Sequence, residues 1–158
     1  MRPRTILGLG LSCLLGACTH GGYGAVDLGW SLHNAEGEGA KLAYGQPDSD
    51  NVLLMMTCRP RSGQVLVSLT APHAPAAPKA IELSSKGLSS RLPGETAPAM
   101  AEGSALVEAM APASDPTLAS FARTGDIAVV ENGRASRLPV RQAERAVVAD
   151  FFAQCRAA

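Results

Sequence analysis

Aromatic side chains are scarce in this sequence: one Trp, two Tyr and three Phe among 158 residues. They supply the largest buried areas in most cores, so this chain is limited to a modest core of Val, Leu, Ile and Met. Net charge is lacking as well, since 14 Lys and Arg balance 14 Asp and Glu. No stretch is strongly basic, and nucleic acid is not an expected partner. Long apolar runs are missing. The one near the N-terminus, Thr5 to Ala17, has 13 residues, against the roughly 20 of a spanning helix. There is no G-x-S-x-G turn for a serine nucleophile, no G-x-x-x-x-G-K-[ST] phosphate loop and no four-ligand set of Cys and His at zinc spacing.

What is present begins at the N-terminus. Met1-Arg2-Pro3-Arg4 is followed by the apolar run, which ends in Leu15-Gly16-Ala17-Cys18. This order of charged, apolar and small residues is that of a secretory signal. A Cys directly after small residues resembles the lipobox of bacterial lipoproteins. The resemblance implies cleavage of residues 1–17 and a lipid on the sulfur and new amino terminus of Cys18. It implies a location in the bacterial cell envelope, anchored in a membrane and facing the periplasm. Thr19, rather than Asp, follows the cysteine, which in such lipoproteins favours the outer membrane over the inner. Residues 18–26 then read as the lipidated Cys and a flexible tether, and 27–158 as a single globular domain. Loss of Arg2 and Arg4 leaves 12 basic residues against 14 acidic, a net charge of −2.

Of the four cysteines, Cys13 departs with the signal and Cys18 is taken by lipid. Cys58 and Cys155 remain, one pair in an exported chain, and a disulfide between them is expected. The alternatives are two buried thiols or a share of a metal site. The latter needs further ligands at close spacing, and neither cysteine has a His beside it.

The hydrophobic pattern predicts a strand-rich domain. Leu28, Trp30 and Leu32 share one parity and point Trp30 at the core. A turn at 36–39 leads to a second strand, Ala40 to Tyr44. Asn51 to Arg59 is apolar on both parities, with Val52, Leu54, Met56 and Cys58 on one and Leu53, Met55 and Thr57 on the other. That pattern predicts a central strand covered on both faces. Gln64 to Thr70 should pair with it as a hairpin, with Val65, Val67 and Leu69 inward and Gln64 and Ser68 outward. A Pro- and Ala-rich loop follows over 71–78. Weaker strand signals lie at 79–84, 88–92, 97–101 and 105–111. Asp115-Pro116 caps a short helix that should stop near Gly125. Ile127 to Glu131, Asn132-Gly133 and Arg134 to Leu138 form a two-residue hairpin, which sets Ile127 opposite Leu138. A helix over 141–156 carries Val147, Val148, Phe151, Phe152 and Cys155 on one face. The expected fold class is α+β. It is mainly an antiparallel sheet, a sandwich or a partial barrel, with a short internal helix and a C-terminal helix stapled to the sheet.

Candidate chemistry is thin. His33 stands at a strand end, while His20 and His73 fall in the tether and the Pro-rich loop. Ser84-Ser85-Lys86 lacks the S-x-x-K spacing. Asp48-Ser49-Asp50-Asn51 reads as a turn, since Asp and Asn bond their own backbone and a calcium loop needs a distal Glu. Arg59 and Arg61 form a basic hairpin tip; two arginines at a turn are more often plain solvated residues, and the rival reading is contact with an anionic partner such as lipid head groups or a cell-wall polymer. No catalytic, metal or cofactor residues are expected. The leading functional expectation is a non-enzymatic envelope lipoprotein that binds or scaffolds another envelope component, a protein or the cell wall. The alternative is a periplasmic inhibitor or small-ligand-binding lipoprotein, using a loop such as 71–78 or 45–51. A hydrolase with a dispersed site around His33 ranks third.

Overall fold

A computed structural model of the chain describes residues 27–35, 37–71, 80–98 and 104–156. The signal, Cys18, the tether, residues 72–78 of the Pro-rich loop and residues 99–101 of one expected strand lie outside the described residues.

The sheet comprises β1 (Gly29–Ala35), β2 (Gly39–Gly45), β3 (Val52–Cys58), β4 (Gln64–Ala71), β5 (Ala80–Ser85), β6 (Leu88–Pro98), β7 (Ala105–Pro112), β8 (Ala128–Glu131) and β9 (Arg134–Arg137). Two helices join them, α1 (Pro116–Thr124) and α2 (Arg145–Cys155), the latter entered through a 3₁₀ turn over Gln142–Glu144. The strand order is β1-β2-β3-β4-β7-β6-β5-β8-β9, antiparallel at every step. The sheet curls into a half-barrel, so of the two expected architectures it is the partial barrel. Both helices lie on its inner face.

The corner of the curl has a local cause. β6 pairs with β5 as far as Pro93 and with β7 from Gly94 onward. A side chain at Gly94 would place its Cβ 2.5 Å from the Glu108 carbonyl oxygen. Glycine at this point lets the two backbones approach closely. Sequence signals at 88–92 and 97–101 therefore belong to one bent strand, interrupted in appearance by Pro93-Gly94.

Inward residues meet the helices. Leu42, Leu54, Met56, Val65, Val67, Ile81 and Leu83 are fully buried against Leu118, Phe121, Val148 and Phe151. Five of the six aromatic residues form one continuous cluster. Tyr44 and Trp30 lie 5.2 Å apart by ring centroid, Trp30 and Phe121 5.0 Å, Phe121 and Phe152 5.8 Å, and Phe152 and Phe151 5.1 Å. Such pairs add about 0.5–1.5 kcal/mol each beyond area burial. The few aromatics thus sit where sheet and helices converge.

The helix ends follow their sequence signals. Asp115 accepts hydrogen bonds from the Thr117 and Leu118 amides, Pro116 opens α1, and Gly125 closes it in the left-handed conformation. Asn132 and Gly133 both take positive φ, as a type I′ turn requires. The resulting register carries Ile127 opposite Leu138, joined by a 3.0 Å backbone bond.

Two expectations are corrected. The outer face of β3 is not covered: among the described residues no element packs there, Leu53 is 37% exposed and Met55 is half-buried. Apolar residues on both parities here reflect an apolar outer surface rather than a second layer. Ser68 has outward parity but is buried. It is short, flanked across the strands by Met55 and Glu108, and its hydroxyl donates to Glu108 Oε1 at 2.9 Å.

Candidate functional site

Cys58 at the end of β3 and Cys155 at the end of α2 are joined in a disulfide, with their Cα atoms 5.6 Å apart. The β3–β4 turn reinforces the junction. Its Arg61 and Gly63 amides donate to the Gln154 and Cys155 carbonyls at 2.8 and 2.9 Å. The last carbonyls of a helix have no partner within it, and here a turn more than 90 residues distant in sequence supplies them. The backbone of the basic tip is thus structural, while the side chains of Arg59 and Arg61 are exposed.

The opposite end of β1 is clamped as well. Arg141 donates through Nη1 to Asp27 at 3.0 Å, through Nε to Glu144 at 2.7 Å and through Nη2 to the Leu28 carbonyl at 3.3 Å. Glu144 also accepts from the Arg141 amide. The hydrogen bond to Glu144, then that to Asp27, holds the Arg141 guanidinium above its ordinary range. Gly29 leaves the necessary space, because a Cβ there would lie 2.0 Å from Arg141 Nη2. Trp30 Nε1 donates to the Leu138 carbonyl at 3.4 Å, so the chain leaving β9 also closes against β1. Burial, with Glu144 nearby, holds the Tyr44 phenol above its usual range. Asp27, the first described residue, is thereby paired with Arg141 at the surface of the domain.

The sequence candidates for chemistry stay apart. The His33 ring lies 3.2 Å from Ser31 Oγ on an exposed strand, and among the described residues it has no other hydrogen-bond partner. The 46–51 segment is a self-bonded turn: Ser49 Oγ donates to the Gln46 carbonyl and accepts from the Asn51 amide. Among the described residues no three His, Cys, Asp or Glu side chains gather at metal-binding distance, and no helix is long and apolar enough to cross a membrane.

The feature that does gather is the outer face of the sheet. Register places Ala43 beside Met55, Thr57 beside Leu66, Leu66 beside Met110, and Thr70 beside Leu106. Leu53 lies two residues before Met55 and on the same face. Met110 is 56% exposed and Leu53 37%, with Met55, Leu66 and Leu106 half-buried between and around them. Three adjacent strands therefore carry apolar side chains on one outer face, interleaved with Thr57, Ser68, Thr70 and Glu108. Glu108 lies within this face, between Leu106 and Met110 on β7 and directly opposite Glu95 of β6, and neither carboxylate makes an ion pair among the described residues. Like charges placed so across a sheet are destabilising. The central-strand expectation put both Met55 and Met56 on covered faces; Met56 lies in the core and Met55 outside it.

A smaller feature lies between the helices, a cleft of about 340 Å³ bordered by Arg123 and Arg145 over small apolar residues. No family model matches the chain, and no curated protein or solved structure does so.

Proposed function

We propose that this chain is a non-enzymatic binding or scaffold lipoprotein of the bacterial cell envelope, held in a membrane through Cys18, that docks an envelope partner on the outer face of β3, β4 and β7. The observation that carries docking is the outward apolar cluster of Leu53, Met55, Leu66 and Met110, with Leu106 beyond Thr70 and Glu108 on the same face. Exposed contiguous apolar patches mark interaction sites more often than free surface. The chemistry favours a protein partner, with an apolar face and a basic residue set against Glu95 and Glu108. That residue would relieve the unfavourable carboxylate pair. The anchor rests on Leu15-Gly16-Ala17-Cys18 and the order of residues before it. Periplasmic exposure fits the disulfide, since such bonds persist in oxidising compartments.

A small-ligand-binding lipoprotein is the second reading, and the cleft between α1 and α2 favours it.

The test is a crosslinked pull-down of the lipidated protein from native envelopes, read by mass spectrometry. One envelope protein should recur, and a Leu53→Glu/Met110→Glu variant should lose it while keeping its melting temperature. Recovery of the same partner by that variant would overturn the docking face. The N-terminal mass of the same sample tests lipid on Cys18.

A further inference from the structure

The α1–α2 cleft lies on the inner side of the sheet, away from the apolar outer face. At about 340 Å³ it falls near the lower end of the ~300–1,000 Å³ of small-molecule sites. Ala122 of α1 and Ala146, Val148 and Ala149 of α2 line it. Val148 is only 1% exposed, so the recess reaches the core.

Arg123, in the last turn of α1, and Arg145, the first residue of α2, border this recess. Both are exposed, and neither forms an ion pair with a described residue. Arg59, Arg61, Arg134 and Arg156 likewise have no ion pair among the described residues, and what sets Arg123 and Arg145 apart is that together they border one apolar recess. Helix stability accounts for Arg123, because a cation in the last turn suits the helix dipole, but not for Arg145, which opposes it in the first turn. Two guanidinium forks beside one small apolar recess match a ligand with an anionic head and a short aliphatic body.

We infer that the α1–α2 cleft binds a small amphipathic anion, a carboxylate or a phosphate monoester, through Arg123 and Arg145. The head accepts hydrogen bonds from the two guanidiniums. The aliphatic body covers Ala146 and Ala149 and excludes water from the recess. This site is independent of the docking face, and either can fail without the other.

The probes are octanoate and octyl phosphate at concentrations below micelle formation, titrated into the ¹⁵N-labelled full chain, with octylammonium as the control. Amide shifts should concentrate at Ala122, Ala146 and Ala149 with the anions and be lacking with the cation. Arg123→Gln and Arg145→Gln should each weaken binding by about tenfold, and added salt should weaken it further. Ala146→Leu, at an exposed position, should fill the recess and reduce affinity without lowering the melting temperature. Vesicles containing phosphatidic acid form a second arm. Recruitment lost in Arg123→Gln/Arg145→Gln identifies a lipid head as the source, and binding of the monomers alone identifies a free metabolite. No shift with either anion, equal shifts with octylammonium, or unchanged affinity in the double Gln variant would each overturn the assignment.

Discussion

Reduction of the Cys58–Cys155 bond offers a quantitative perturbation. The bond spans a sequence separation of 97 residues. Closing a loop of about 100 residues stabilises a fold by ~4.7 kcal/mol in the chain-entropy description, because the cross-link restricts the unfolded chain. For a domain of this size, each kcal/mol corresponds to about 3–4 °C in melting temperature. Reduced protein should therefore melt about 15 °C below oxidised protein. The native contacts at the junction do not depend on the sulfur bond. The Arg61 and Gly63 amides still reach the Gln154 and Cys155 carbonyls, and Phe151 and Phe152 still hold α2 in the core. The reduced chain should keep the near-ultraviolet circular dichroism of buried Trp30 at 25 °C and lose it in one cooperative step. Cys58→Ala, Cys155→Ala and the double variant should fall by similar amounts, since each removes the same bond. Thermal melts and guanidinium titrations with and without reductant measure the difference. A loss under about 1 kcal/mol, or single-variant losses that add in the double, would refute the loop-closure reasoning.

Two other predictions concern the charged contacts. Gly29→Ala should displace the Arg141 guanidinium, leave the mostly buried Glu144 with the Arg141 amide as its hydrogen-bond donor and lower stability, measured by denaturant unfolding; no change would mean that the clamp contributes nothing. Asp126 is held below the ordinary carboxylate range, first by the Lys86 amide and then, against an opposing effect of burial, by Arg137. A depressed acid contributes stability above its unfolded pKa, near 3.9, and loses it as pH falls through the lower folded value. Stability of the native chain should thus decline more steeply below about pH 4 than that of Asp126→Asn, and parallel acid melts would contradict this.

Much of the fold was legible because local signals agreed with tertiary demands. Asn132-Gly133 pinned a hairpin and its register, since few residues other than Asn and Gly take positive φ cheaply. Asp115-Pro116 and Gly125 bounded α1 for equally local reasons. The alternation of Val65 and Val67 found the inner face of β4. What escaped was long-range. β6 read as two strands because Pro93-Gly94 resembles a break, while its two halves pair with different partners. The outer apolar surface was read as a second buried face, because parity shows that a residue is apolar and not what covers it. Burial of Ser68 depends on Met55 and Glu108, and the Arg141 clamp joins residues 114 positions apart. The proposed docking face was accordingly visible as residues in the sequence but not as a surface. Arg123 and Arg145 carried no sequence signal, since only the packing of α1 against α2 brings them to one recess.

The proposal that the outer face of the half-barrel meets a partner can be checked in cells. Its most direct test places a photoactivatable residue at Met110 or Met55 in the full chain in living bacterial cells, with Arg134 on edge strand β9 as the comparison. Irradiation should yield one discrete adduct with the same envelope protein from both outer-face positions and none from Arg134. An adduct from Arg134 alone, or no adduct from Met110 and Met55, would contradict the account.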